Sequence, residues 1–245
     1  MESPFLQAHG LLRYIGLFLS GVCHQLPGHS FSLAGTQLPL CARCSGTYTG
    51  ALLVLCALCL KRRQRAAELP PRRVMLVLAV LFLLWSVDGL NSYLHFLSGG
   101  VWLYAPSNLL RLLTGMGLGL SVTLLVVPVL NLTLWHYPRE EQVVNSLKEL
   151  GLLLATVLVV AGLVQVYPEA LFYPLFVADV TGVLLMLSLV NAAIVTILLR
   201  HVNRLEHWRQ ALLYLALGLL LSLAEVGAIA LLRHALTKLL PWSIP

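Results

Sequence analysis

Charge is scarce in this chain. Of its 245 residues only 11% are Asp, Glu, Lys or Arg, where a water-soluble domain carries about 25%. That shortage excludes a soluble enzyme, a disordered chain and a nucleic-acid reader, and the 59% hydrophobic content points to a membrane protein. Acidic residues are scarcest, ten against sixteen basic ones, and in a membrane protein that excess reports orientation before it reports a polyanionic partner. Five cysteines are too few for a secreted disulfide scaffold, so their spacing carries the information. No Gly-rich phosphate loop follows a strand, no convincing strand is present, and no repeat or composition shift marks a second soluble domain. The expectation is a single all-α membrane domain over residues 1–245, with the lipid bilayer as its partner and no nucleic acid.

What is abundant is long apolar sequence. A helix rising about 1.5 Å per residue needs roughly 20 apolar residues to cross a core of about 30 Å. Six stretches qualify: 44–60, 74–97 (interrupted by Asp88 and His95), 112–134, 150–166, 173–199 (interrupted by Asp179) and 211–232 (interrupted by Glu225). Residues 11–22 are apolar apart from Arg13 but short. They fit a seventh, tilted span, an interfacial helix or a leader core, the last disfavoured because no small-x-small site precedes Cys23. Loop 61–73 holds six basic residues against Glu68, and loop 200–209 holds three arginines against Glu206. Both are expected on the cytoplasmic side of the cell inner membrane, which leaves residues 167–174 outside.

That threading brings the unusual polar residues to one leaflet. Cys23 and His24, Cys41 and Cys44, Asp88 with Asn91, Asn108 with Arg111, Asp179 and Glu225 all fall in its outer half. Ionisable groups at membrane depth cost several kcal/mol unless paired or wetted, so each is a functional candidate. Asp88 and Arg111 fit a structural ion pair as well as a substrate site. Gly46 and Gly50 have GxxxG spacing, and Gly115, Gly117 and Gly119 thin the fourth span; both sets allow close backbone approach. Tyr48, between the first two glycines, needs a hydroxyl partner if buried.

The densest chemistry is Cys23-His24-Gln25, a polar loop, and Cys41-Ala42-Arg43-Cys44. A C-x-x-C turn presents two thiolates to one tetrahedral ion at about 2.3 Å; Cys23 with His24 or His29 completes a Cys3His set, with zinc first among divalent transition metals. Arg43 favours thiolate, which suits ligation and redox chemistry equally. On the exoplasmic side the competing reading is a disulfide, Cys41 to Cys44 or either to Cys23, or a dithiol redox pair. Cys56 lies about 18 Å along the helix from Cys44 and Cys59 farther still, and both are expected to pack as small hydrophobes. His95, near Asp88 in sequence, is a second-rank ligand. Asn108 with Arg111, or Arg111 with Thr114, shares a helix face, on which the arginine is able to clamp a carboxylate or phosphate.

CHQ at 23–25, CARCSGTYTG at 41–50, DGLN at 88–91 and NLLRLLTG at 108–115 together resemble a prokaryotic membrane-protein family, domain of unknown function 2085. Its pattern is CHQ-x-P, then C-x-R-C-x-G-x-Y-x-G, then Asn-x-x-Arg-x-x-x-Gly. Cys23, His24, Gln25, Pro27, Cys41, Arg43, Cys44, Gly46, Tyr48, Gly50, Asp88, Asn108, Arg111 and Gly115 fall on it, whereas His29 departs from it, which ranks His24 above His29 as a ligand. The resemblance covers residues 20–120, leaves 121–245 as additional helices, and implies a polytopic inner-membrane protein with a cysteine-rich outer site but no established activity. Residues and resemblance together lead to a metal site of Cys23, His24, Cys41 and Cys44 beside a polar pocket of Gln25, Arg43, Tyr48, Asn91, Asn108 and Thr114. In an enzyme on a lipid-embedded substrate, Asp88 would be acid or base and Arg111 the anion clamp. The rivals are a thiol-disulfide oxidoreductase exchanging with a dithiol or quinone, and a transporter with Asp88, Asp179 and Glu225 along an ion path.

Overall fold

The computed structural model describes residues 10–33 and 36–239. Seven helices follow one another: α1 (Leu11–Leu19), α2 (Ala42–Leu60), α3 (Arg72–Ser98), α4 (Asn108–Leu134), α5 (Leu147–Val166), α6 (Pro168–Leu198) and α7 (Trp208–Leu239). The last six are long and apolar enough to cross a membrane, and they match the six expected spans. The fold is an all-α polytopic bundle.

Local signals set the boundaries. Ser107 caps α4, its Oγ accepting from the Leu110 N–H at 3.2 Å, and Ser146 caps α5 in the same way through Glu149. Starting α4 at Asn108, four residues before the uninterrupted apolar run, places Arg111 in the first helical turn. Gly99 ends α3 at φ 67°, a left-handed cap suited to glycine. Tyr167 closes α5 and Pro168 opens α6, so the chain reverses within a residue.

Of the readings open for residues 11–22, the length of the helix disfavours a span. Helix α1 has nine residues, a rise of about 14 Å, less than half of a bilayer core. It lies beside α7, with Gly21 directly against the backbone of Val226 and Ala230 and the Phe18 ring facing Gly227.

Helices α2 and α4 form the centre of the bundle. Cβ atoms at Gly46 and Gly50 would overlap the backbone of Leu112 and Met116, and at Gly115 and Gly119 the backbone of Arg43 and Thr47. The two small-residue sets expected to allow close approach therefore face each other. Helix α4 is the most buried span, while α3 and α5 present Leu76, Leu83, Leu152 and Leu158 outward.

Both basic loops lie at one end of the bundle, opposite Cys23 and Cys41. There the Asn203 N–H donates to Thr133 O, Arg65 stacks on the Trp135 ring at 3.8 Å, and Asn131 donates to the carbonyls of Gln64 and Ala66. Short strands occur where none were expected. β1 (Ser32–Leu33) pairs antiparallel with β2 (Thr36–Gln37) before α2, and β3 (Ala66–Glu68) pairs parallel with β4 (Arg139–Gln142) at the basic end. They brace loops and build no layer.

Candidate metal centre and polar pocket

The loop from α1 to α2 is folded around Gln25. Its backbone adopts φ 58°, and its buried Nε2 donates to Gly16 O (2.6 Å) and Pro39 O (2.9 Å), while its own carbonyl accepts from Gln37 Nε2 at 2.9 Å. These bonds draw the two halves of the loop together, and the Cys41 N–H donates to Cys23 Sγ at 3.2 Å. Gln25, expected in the pocket, is thus a staple of the loop that carries the donors.

Ligand atoms of Cys23, His24 and Cys41 lie within 4.8 Å of one another. Cys44, one turn into α2, lies close enough to influence the titration of both other thiols but falls outside that three-membered group. The thiols of Cys23 and Cys41 are buried, whereas His24 is exposed, with Nδ1 accepting from the Leu26 N–H at 3.1 Å. His29 meets His24 edge-on, ring centroids 5.4 Å apart. All five cysteines are free. Hydrogen bonding to Cys41 and burial push the Cys23 thiol up to about 12, and the bonds Cys41 receives from Cys23, Cys44 and His24 hold it far below the usual thiol range. Cys41 stands at the N-cap of α2, where the helix dipole favours a thiolate. Cys56 and Cys59 are exposed on α2, away from this cluster.

Asp88 pairs with Arg43, not with Arg111. The Arg43 Nη2 bonds the Asp88 carboxylate, the Asp88 carbonyl (3.1 Å) and Ser92 Oγ (3.0 Å); Tyr104 OH (2.9 Å) and Thr114 Oγ1 (3.3 Å) also donate to that carboxylate. Arg43 thus turns toward α3 instead of serving the thiols on either side of it in sequence. Asp88, 1% exposed, is held by three donors from α2, α4 and the α3–α4 loop, which suits a structural pair better than a free acid or base. Asn91 fixes the same loop, donating to Tyr104 O and accepting from the Leu103 N–H, both at 3.0 Å.

Arg111 is buried without a carboxylate partner. Its Nη1 donates to Asn108 Oδ1 (2.8 Å), its Nε meets no acceptor, and Asn108 in turn donates to Ser30 O (3.3 Å). Burial, aided by the positive charge of Arg111, lowers His29 to about 4, so that ring is neutral at physiological pH. Tyr48 turns its Cβ toward Gly182 of α6, and no hydrogen bond of its hydroxyl occurs among the described residues. His95 caps the end of α3 through Gly100 O (2.8 Å) and is half-buried.

The three membrane acids have separate partners. Asp88 meets Arg43; Asp179, fully buried, accepts from Ser45 Oγ (2.9 Å); Glu225, exposed on α7, accepts from Asn191 Nδ2 (2.8 Å). Sequence reasoning missed Tyr104 and Arg233. Arg233 Nη1 donates to the carbonyls of Ser20 (2.9 Å) and Cys23 (2.7 Å), and its Nη2 to that of His24 (2.9 Å). Neither residue has a spacing motif that flags it, although an arginine near the cluster end of the last apolar run is itself a signal.

A six-span helical bundle with a Cys/His cluster at one end defines a multi-pass membrane protein. The chain belongs to the predicted membrane protein family DUF2085, whose match covers residues 23–125, from the first ligand candidate through most of α4. An uncharacterized protein of Methanocaldococcus jannaschii is 29% identical over 108 residues, 44% of this chain and 63% of that protein, so the match spans under two thirds of that relative. An uncharacterized protein of Methanothermobacter thermautotrophicus is 30% identical over 104 residues, 41% of this chain and 82% of that protein. No solved structure matches. Arg233, Asp179 and Glu225 lie outside the matched region.

Proposed function

We propose that this is a membrane metalloprotein whose Cys23, His24, Cys41 and Cys44 bind one divalent transition metal, zinc first, at the exoplasmic boundary of the cell inner membrane. The observation that carries the reading is the convergence of Cys23, His24 and Cys41 donor atoms within 4.8 Å, across a loop that Gln25 and Arg233 hold in place. Cys44, beside both other thiols, is the natural fourth donor. Three thiolates and an imidazole suit zinc, and four protein ligands make a closed, structural site that locks the loop onto α2. Should Cys44 stay out, the open position would support metal-assisted chemistry on a lipid-embedded substrate. Orientation follows from the shared end of the two basic loops.

Elemental analysis of protein purified in detergent without chelator tests this. The expected result is about one equivalent of metal in the wild type and none after Cys23→Ser or Cys41→Ser. Metal-free wild type sinks the reading.

One observation favours a second reading. Cys41 at the N-cap and Cys44 one turn in place a C-x-x-C pair on a helix N-terminus, where reactive dithiols sit. Oxidation would form the Cys41–Cys44 bond and release two protons, with two electrons passing to a partner disulfide or a quinone. Metal-free protein whose Cys41 and Cys44 alkylate only after reduction would establish it.

A further inference from the structure

Helix α4 has 27 residues, about 40 Å long, which matches a bilayer including its headgroups rather than the hydrocarbon core alone. Set across a bilayer, a helix of that length brings its ends to the headgroup layers. In the first turn of α4 Arg111 is only 4% exposed, it bonds a single acceptor, Asn108, and its Nε is buried without one. A guanidinium offers five N–H donors in a planar fork matched to carboxylate and phosphate. The nearest carboxylate is taken, since Asp88 is held by Arg43, Tyr104 and Thr114. Arg43 and Asp88 cancel, and the positive end of the α4 dipole points toward Arg111. Arg111 is thus left without a carboxylate partner among the described residues.

We infer that the first turn of α4 binds a phosphate group at the membrane boundary, the phosphodiester of an anionic lipid headgroup or free phosphate, with Arg111 as its clamp. Arg111 and Asn108 hold the oxygens, and the helix N-terminus adds its dipole. The site uses no thiol, so it stands independently of the metal centre.

The test uses delipidated full-length protein in phosphate-free detergent, followed by thermal unfolding and native mass spectrometry. The probes are phosphatidylglycerol in mixed micelles, inorganic phosphate, and diacylglycerol, which has the tails without the phosphate. The expected result is stabilisation and a single adduct with phosphatidylglycerol, inorganic phosphate or both, and none with diacylglycerol; which probe acts identifies the source. Without probe, Arg111→Met is expected to unfold no earlier than wild type, because it removes an unpaired buried charge, and to lose the response. Arg111→Lys keeps the charge but not the fork, and is expected to need about tenfold more probe. Equal response to diacylglycerol, no response in the wild type, or an unchanged response in both variants overturns the proposal. So does loss of bound metal in Arg111→Met with probe binding intact, since Arg111 would then be the counter-ion of the thiolates.

Discussion

Arg233, near the end of the last helix, donates to the Cys23 carbonyl oxygen at 2.7 Å, joining residues 210 positions apart. The same guanidinium reaches Ser20 and His24, so α7 holds the backbone on which two of the proposed metal donors stand. Groups that orient metal ligands without touching the metal typically change affinity 10- to 100-fold when removed. Arg233→Met is expected to weaken metal retention about tenfold or more in a chelator competition, with Arg233→Lys intermediate. Unchanged affinity in both would mean that the loop is held without this contact.

Cys44 decides whether the proposed centre is closed. Cys44→Ser is expected to reduce metal affinity while Cys23→Ser and Cys41→Ser abolish binding. The visible spectrum of the cobalt-substituted protein checks it, because a three-thiolate site gives stronger sulfur-to-metal charge transfer than a two-thiolate one.

Removing one partner of a buried ion pair leaves the other charge uncompensated. Asp88→Asn is expected to destabilise by about 3 kcal/mol, because Arg43 then faces Tyr104 and Ser92 without an anion. Adding Arg43→Gln to it is expected to restore part of that loss. Chemical denaturation of the two single variants and the double variant measures the coupling.

Gly115 has no room for a side chain, since a Cβ would overlap the Arg43 backbone, whereas a Cβ at Gly151 would meet nothing within 4 Å. Gly115→Val is expected to cost about 3 kcal/mol, lowering the melting temperature by roughly 6 to 12 °C. Gly151→Val is expected to leave it nearly unchanged. Thermal unfolding of the pair in detergent separates helix contact from β-branching in general.

Orientation has a direct readout. In a background with all five cysteines replaced by Ser, a membrane-impermeant maleimide is expected to label Ser98→Cys from outside intact cells. Glu206→Cys is expected to react only after the membrane is opened. The reverse pattern would place the Cys/His cluster on the cytoplasmic side.

The sequence by itself determined the spans, because twenty apolar residues in a row have few alternatives to a helix in lipid, where backbone groups must be satisfied internally. It also marked the small-residue faces at Gly46, Gly50, Gly115 and Gly119, and placed Cys23, His24, Cys41 and Cys44 near one another by loop length. Which residues pair was decided only by the tertiary structure. Arg43 sits between two cysteines in the chain, yet the rotation of α2 against α3 carries it to Asp88 and leaves Arg111 alone. Arg233 meets Cys23 only because α7 packs beside α1. Helix periodicity fixes which residues share a face, but it does not fix which face turns toward which neighbour; that depends on how all seven helices fill one volume, and no local pattern encodes it.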